Sequence, residues 1–196
     1  MRFLHWFAGL VLAVELPVPI YWLVLHGGIG FWRKHGRGRT PYWVAVGAAW
    51  GLGGSMLVYF RADLFTYAAR PLWAIVAGAV LMGADVAILS IVEMELGGRR
   101  LVGQAELAGN GELAVRGLYA RVRHPRYLGM MLGVLGVCLV AGSRPLWIVA
   151  ALWWIAALAI IRLEERELRS RFGAAYAAYA KRVPALLPVC FRTGQK

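Results

Sequence analysis

The stretch that decides the fold is residues 123–165, RHPRYLGMMLGVLGVCLVAGSRPLWIVAALWWIAALAIIRLEE. It contains two apolar runs, 125–141 and 145–161, which are joined by a short polar turn. The basic pair Arg123-His124 precedes the first run, and the acidic pair Glu164-Glu165 follows the second. A helical hairpin returns the chain to the side that it left. We therefore expect the basic and acidic pairs to lie together at one face of a membrane.

Composition extends this pattern to the whole chain. Of the 196 residues, 60% are hydrophobic and only 16% are charged. A helix needs about 20 apolar residues to cross the hydrocarbon core of a bilayer. We predict an all-α, polytopic membrane protein that forms a single membrane domain over residues 1–196. About five transmembrane helices are expected, at residues 3–25, 41–60, 71–94, 125–141 and 145–161.

Proline marks the start of four of these helices, where its missing N–H removes nothing from the helical hydrogen bonding. The last two helices are short, because about 17 residues at 1.5 Å each cover only about 25 Å. We expect them to pack as a hairpin about the turn Gly142-Ser143-Arg144-Pro145.

The formal charge of +12 does not indicate nucleic-acid binding here, because no basic domain stands apart from the apolar segments. Lys and Arg mark cytoplasmic loops of membrane proteins. They are enriched in residues 26–40 and 96–122 and in the tail, and sparse in the other loops. The alternation predicts an outer N-terminus and a cytoplasmic C-terminus, in a bacterial inner membrane with both clusters facing the cytoplasm. The Gly-rich loop 96–122 is long enough to be functional.

The two cysteines, Cys138 and Cys190, and the scattered histidines lack metal-ligand spacing. We therefore expect no metal site. Nothing in the sequence predicts an oligomeric state.

The tail, residues 162–182, is predicted to be an amphipathic helix with an apolar stripe at helical spacing. Glu165 and Glu167 each precede an arginine by four residues, the favourable order for a surface ion pair. This spacing places both glutamates on the solvated face. Glu164 lies one turn before Leu168 on the apolar stripe, where an acid needs a partner.

The start of the helix at Pro125 predicts chemistry as well as structure. Free N–H groups in a first helical turn attract anions, and Arg123 and His124 add donors. Glu164 would attract a cation. Together they suit a small polar ligand that carries both charges and is held beside lipid. The alternative is a juxtamembrane basic cluster with an interfacial Tyr127 and a solvated first helical turn.

Two further acids lie inside apolar segments, Glu15 and Asp85. Intramembrane acids are candidates for a functional role. For Asp85, a structural hydrogen bond to Ser90 or to a neighbouring helix is an equal alternative.

The C-terminal half resembles the isoprenylcysteine carboxyl methyltransferase family and the related phospholipid N-methyltransferases. The resemblance begins near Leu96-Gly97. Its ordered motifs are Gly117-Leu118-Tyr119, Arg123-His124-Pro125-Arg126-Tyr127-Leu128-Gly129, Glu164-Glu165, Phe172-Gly173, Tyr176, Tyr179, Arg182-Val183-Pro184 and Pro188. One departure is Leu118, where the family has proline.

The resemblance implies an S-adenosylmethionine-dependent methyltransferase that acts on a lipophilic substrate, either an isoprenylcysteine-type carboxylate or a phospholipid amine. Residues 1–94 would then be N-terminal spans, and 95–196 the cofactor-binding and catalytic half. The cofactor-binding residues implied are Tyr119, His124, Tyr127, Glu164 and Glu165. The arginines associated with catalysis are Arg123 and Arg162.

Two other classes of protein remain open from the sequence. An NADPH-dependent membrane reductase of the sterol-reductase type has a similar C-terminal motif order. A non-enzymatic membrane transporter or scaffold could use Asp85 and Glu15 to line a path. The absence of a recognisable inverted repeat counts against transport.

Overall fold

The computed structural model describes residues 2–27, 29–35, 39–65, 69–96 and 112–187. Residues 97–111, which make up most of the loop 96–122 predicted to be functional, lie outside these ranges. The described chain is helical, with one 3₁₀ turn, η1. The helices are α1 (Arg2–Glu15), α2 (Val18–Gly27), α3 (Ile29–His35), α4 (Arg39–Tyr59), α5 (Arg61–Leu64), α6 (Leu72–Leu96), η1 (Gly117–Ala120), α7 (Pro125–Ala141) and α8 (Arg144–Arg182).

This is an integral membrane protein by the length and apolarity of its helices. Among the described residues, three segments are long and apolar enough to cross a bilayer: Phe3–His26, Leu72–Leu96 and Arg144–Arg182. Two apolar helices are shorter, at Trp43–Tyr59 and Pro125–Ala141. Each of the five predicted spans overlaps one of these apolar segments, although the last segment continues to Arg182.

The first predicted span is not one unbroken helix. The chain turns at Leu16-Pro17, between α1 and α2. Pro17 has no N–H to donate, and its ring disfavours a continuous helix through this point. Helical bonding continues around the break, since Leu16 donates to the carbonyl of Leu12 (2.8 Å) and Tyr21 to that of Pro17 (3.0 Å).

Helices α6 and α7 make the most extensive helix–helix contact in the described chain, and small residues let their backbones approach. A Cβ atom added at Gly136 would lie 2.6 Å from the carbonyl oxygen of Gly78. It would also lie 3.0 Å from the backbone nitrogen of Met82. Because both neighbours are backbone atoms, neither can move aside without shifting a helix.

We expect Gly136→Val to lower the free energy of unfolding by about 1–3 kcal/mol, the usual cost of overpacking. The matched control is Gly83→Val in α6, where no atom lies within 4 Å of the added Cβ. Thermal unfolding in detergent, followed by tryptophan fluorescence, measures both variants. Equal destabilisation by the two substitutions would contradict this packing.

Helix α8 runs without a break from the last predicted span into the predicted tail, and within the tail two helical stretches meet at a kink. The kink is at Gly173, whose φ of 50° and ψ of −122° are not helical. The Ser143 hydroxyl caps the start of α8 by accepting from the Leu146 N–H (3.3 Å). The Ser143 N–H in turn donates to the carbonyl of Leu64 (3.0 Å), which ties α5 to this turn. We take the apolar part up to residue 161 as the membrane-crossing part.

The larger hydrophobic core is built mainly from buried side chains of α1, α2, α7 and α8, to which α4, α5 and α6 add Leu57, Leu64 and Met82. Trp153 of α8 is buried and donates its indole N–H to the carbonyl of Glu15 (2.8 Å). This bond joins the end of α1 to the hairpin. The N-terminal helices are therefore part of the same packed unit as the C-terminal half.

Candidate active site

The site is built where the chain enters α7 and the C-terminal segment returns to it. The Arg123 N–H donates to the carbonyl of Pro184 (2.8 Å), and the His124 N–H donates to that of Ala185 (3.0 Å). Pro125 then opens α7. The conformation of the Arg-His-Pro segment is thus fixed by Pro184-Ala185, which follow α8.

The Arg123 side chain holds three parts of the chain together. Its Nε and Nη2 atoms donate to Oε1 of Glu165, at 2.9 and 2.5 Å. Its Nη1 atom donates to the carbonyls of Ala180 (3.0 Å) and Val183 (2.5 Å). All three guanidinium nitrogens are therefore engaged within the protein, which favours a positioning role for Arg123.

His124 lies between the two predicted glutamates and is only 3% exposed. Its Nε2 is 3.4 Å from Oε1 of Glu165, and its Nδ1 is 3.8 Å from Oε2 of Glu164. The hydrogen bond with His124, together with Arg123, lowers the pKa of Glu165 to about 2. Glu165 is therefore an ionised anchor at neutral pH and fixes the ring that faces Glu164.

A cleft opens beside this cluster. Four of the five predicted cofactor-binding residues line it, Tyr119, His124, Tyr127 and Glu164, whereas Glu165 does not. Oε2 of Glu164 is buried and has no hydrogen-bond partner in the described chain. Arg123 also reaches the cleft. Its other lining residues come from α6, the segment before η1, α7 and α8: Leu96, Glu112, Leu113, Ala114, Arg126, Glu167, Leu168, Arg171, Phe172, Tyr176 and Tyr179.

Three tyrosines give the cleft a neutral wall. The hydroxyl of Tyr179 donates to the carbonyl of Tyr119 (2.6 Å), which links α8 to η1. Burial raises the pKa of Tyr119 and Tyr176 well above the ordinary phenol value. Burial raises the pKa of Tyr179 to about 12. All three are therefore un-ionised donors at neutral pH.

Glu95, at the end of α6, determines the position of η1. Its Oε1 and Oε2 accept from the Leu118 N–H at 3.0 and 3.3 Å. Proline, which the resemblance would place at 118, could not donate this bond. Gly117 adopts a φ of +59°, and a Cβ there would overlap the Glu95 carboxylate. The departure from the family pattern therefore coincides with a bond that fixes the turn carrying Tyr119.

The structure corrects the prediction for Glu165 and Glu167. The helix-surface pairs are present, Glu165 with Arg169 at 3.5 Å and Glu167 with Arg171 at 3.8 Å. Neither glutamate lies on a solvated face, however. Glu165 pairs with Arg123 and His124, whereas Glu167 lines the cleft and lies 3.2 Å from Nδ1 of His26. Both extra partners come from distant parts of the chain, which local spacing does not reveal.

Arg162 is not brought to the cleft. Its side chain is exposed, and it precedes Glu164 by two residues, about 200° around the helix. Its catalytic assignment, like that of Arg123, stays a prediction. Two basic residues that line the cleft, Arg126 and Arg171, were not predicted from the sequence as site residues. Arg126 belonged to the quoted motif and was given no role there.

The two intramembrane acids are both buried, Glu15 and Asp85 at 1% exposure each. Asp85 packs against Gly129 and Gly133 of α7, where a Cβ would meet its carboxylate. The hydrogen bond to Ser90, one of the alternatives considered for Asp85, is not formed, since the Ser90 hydroxyl donates to the carbonyl of Val86 (2.7 Å). In the part of the chain that the structure describes, no group of three or more His, Cys, Asp or Glu side chains could hold a metal.

The arrangement defines a class: a helical membrane protein whose charged cleft lies at the end of an apolar hairpin. Comparison with known proteins agrees with it. The family described as "Phospholipid methyltransferase" matches residues 73–175, which is more than half of the chain. The protein belongs to this family of membrane methyltransferases.

Individual relatives match over shorter regions. The chain is 38% identical over 74 residues to Methanethiol S-methyltransferase 2 of Bradyrhizobium diazoefficiens, covering 38% of this chain and 28% of the relative. It is 39% identical over 80 residues to the cobalt-zinc-cadmium resistance protein CzcN of Cupriavidus metallidurans, covering 40% of this chain and 37% of the relative.

The chain is also 36% identical over 78 residues to Protein-S-isoprenylcysteine O-methyltransferase of Schizosaccharomyces pombe, covering 39% of this chain and 33% of the relative. The matched regions thus span about a third of these curated relatives. No solved structure matches the chain.

Proposed function

We propose that this protein transfers a methyl group from S-adenosylmethionine to a lipophilic acceptor that reaches the site from the bilayer. The observation that carries the proposal is the pairing of Glu164 with the first turn of α7. A buried carboxylate oxygen without a hydrogen-bond partner faces a cleft that also contains basic side chains. The cleft lies at the end of apolar helices, beside lipid.

The residues present fit S-adenosylmethionine. Its ammonium group suits Oε2 of Glu164, which lies 3.8 Å from His124 but accepts no hydrogen bond in the described chain, because a buried carboxylate oxygen without hydrogen bonds is costly. Its carboxylate suits the N-terminus of α7 beside His124. Tyr119 and Tyr127 would form the walls around it. Glu165 would act through His124, since its carboxylate already binds Arg123 and His124.

When bound, the cofactor supplies an electrophilic methyl group on a sulfonium. The protein then contributes position and exclusion of water, which can account for most of the acceleration of such a transfer. Glu164 and His124 orient the donor, and Arg123 maintains the loop that carries His124. We retain Arg162 as a candidate for the acceptor side at the membrane boundary.

The relatives' names include a thiol and a prenylated carboxylate as methyl acceptors, and the family name includes phospholipids. For this chain, an apolar acceptor is supported by the helices that surround the cleft. The positive-inside pattern supports a cleft facing the cytoplasm of a bacterial inner membrane, where the cofactor is available. The reductase and transporter alternatives receive no support from the family match.

Methyl transfer from labelled S-adenosylmethionine tests this function. The purified protein is incubated with an extract of host lipids and, separately, with an aqueous extract of soluble metabolites. We expect label in the lipid fraction. Label confined to the water-soluble fraction would contradict a lipophilic acceptor. Label in neither, together with NADPH binding, would instead support the reductase.

A further inference from the structure

Helix α2, near the N-terminus, reaches the wall of the cleft through one hydrogen bond. Nδ1 of His26, in the last turn of α2, lies 3.2 Å from Oε2 of Glu167 on α8. Because a carboxylate accepts and does not donate, the His26 nitrogen is the donor. Both side chains are largely buried. Helix α2 lies outside residues 73–175, the region that the family match covers, so the match assigns no role to this contact.

The Glu167 carboxylate is held at both oxygens. Oε2 meets His26, whereas Oε1 lies 3.8 Å from Nη1 of Arg171. Glu167 and Arg171 both line the cleft. Arg171 belongs to the next turn of the same helix, so this pair alone does not tie the carboxylate to another helix. The contact with His26 is the one that fixes it relative to α2.

The His26 ring is itself held by Trp22, one turn earlier on α2. The two rings stack with their centroids 5.1 Å apart and 18° between their planes, and both are buried. The Arg126 guanidinium lies over the same indole, 4.4 Å from the ring centroid, and Arg126 also lines the cleft. The stacked pair on α2 therefore contacts one acid and one cation of the cleft wall.

A cleft wall that is already ordered favours binding, because side chains that must be ordered when the ligand arrives oppose association. Without the donor at His26, the Glu167 carboxylate could turn toward Arg126, which lines the same cleft, and occupy space that the ligand needs. His26 does not line the cleft itself. Its influence on a ligand would therefore pass through Glu167.

We propose that His26 is a positioning residue for the cofactor, which acts by holding Glu167 in the cleft wall. This inference rests on the proposed methyltransferase function, since the ligand is S-adenosylmethionine. It gives the N-terminal helices a part in cofactor binding besides crossing the membrane. Because the effect is on binding, loss of His26 should raise the KM for S-adenosylmethionine more than it lowers kcat.

Two substitutions of His26 test the hydrogen bond in the full chain, in phosphatidylcholine nanodiscs. His26→Phe keeps a ring against Trp22 and removes the donor, whereas His26→Asn retains an N–H donor. We expect His26→Phe to bind S-adenosylhomocysteine about tenfold more weakly, as when about two side chains must be ordered on binding. His26→Asn should recover most of this loss. Calorimetric titration measures both, and unchanged affinity in His26→Phe would overturn the inference.

Trp153→Phe is the matched control for a merely structural effect. Trp153 also joins α8 to the N-terminal helices, through its bond to the carbonyl of Glu15 (2.8 Å), but it does not line the cleft. We expect Trp153→Phe to lower the unfolding temperature and to leave the affinity for S-adenosylhomocysteine within about twofold of wild type. Equal losses of affinity in Trp153→Phe and His26→Phe would overturn the positioning role.

A double-mutant cycle tests whether His26 acts through Glu167. Glu167→Ala removes the same hydrogen bond from the other side and should weaken S-adenosylhomocysteine binding at least as much as His26→Phe. The double variant should bind within about twofold of Glu167→Ala alone, because the two residues act as one unit. Losses that multiply would overturn the inference. If His26→Phe does not fold, unchanged binding in Glu167→Ala would overturn it instead.

The two proposals fail differently. A wild-type protein that does not bind S-adenosylhomocysteine overturns the methyltransferase function and this inference with it. A wild-type protein that binds S-adenosylhomocysteine no better than His26→Phe does overturns the positioning role alone.

Discussion

We expect Arg123→Ala to lower the free energy of unfolding by about 3 kcal/mol and to weaken binding of S-adenosylhomocysteine at least about tenfold. Removing one partner of a largely buried ion pair leaves the other charge uncompensated. Here the substitution removes the two shortest contacts of Glu165, leaving it, in the described chain, only His124 and the exposed Arg169. It also removes the donors to the carbonyls of Ala180 and Val183. The C-terminal segment would lose its attachment to Arg123. Glu165 would be held less firmly and would therefore position His124 less well.

Arg169→Ala is the matched control for this prediction. Arg169 binds the same carboxylate, at 3.5 Å, but its side chain is 62% exposed. Exposed pairs contribute about 0–1 kcal/mol. Thermal unfolding in detergent and titration with S-adenosylhomocysteine measure both variants. Equal losses in Arg123→Ala and Arg169→Ala would contradict the role of Arg123 as the residue that joins the three segments.

The second large effect is expected at the cleft itself. Glu164→Ala and His124→Ala should each weaken S-adenosylhomocysteine binding by about 1–3 kcal/mol, the usual cost of losing a buried partner of a charged group. For Glu164 the lost group is the carboxylate that lines the cleft, whose Oε2 accepts no hydrogen bond in the described chain. For His124 it is the ring held between two carboxylates.

The control for the cleft variants must be an acid remote from it. Glu167, which the sequence placed on a solvated face, does not qualify, because it lines the cleft and lies 3.2 Å from His26. Asp63→Ala on α5 is suitable, since Asp63 is exposed and absent from the cleft wall. If Asp63→Ala weakened binding as much as Glu164→Ala, the proposed position of the cofactor would be wrong.

Much of the architecture could be predicted because it depends on local physics. Apolar runs of sufficient length specify membrane helices, and prolines mark where several begin. The inward register of Glu164 follows from helical periodicity, and the structure places that residue in the cleft wall. The break at Leu16-Pro17 was missed because the apolar run continues through it, although the proline itself was visible.

The remaining part of the site depends on contacts between distant residues. Glu165 meets Arg123 across 42 positions of sequence, and Glu167 meets His26 across 141. In both cases an arginine one helical turn away is a plausible partner for the glutamate. The local pattern therefore gives no indication that a second, distant partner exists. The role of Glu95 depends on the turn at Gly117. The conformation of this turn cannot be predicted from the periodicity of apolar residues. Arg126 differs again, since it lines both the cleft and a neighbouring cavity between α1, α2, α4, α6 and α7, and this position depends on how all of these helices pack.

Calorimetric titration of the detergent-purified protein with S-adenosylhomocysteine and, separately, with NADPH tests the central claim most directly. The geometry around Glu164 and the start of α7 predicts saturable binding of S-adenosylhomocysteine at one site. It also predicts loss of affinity in Glu164→Ala and no saturable binding of NADPH. Saturable binding of NADPH without binding of S-adenosylhomocysteine would contradict the account.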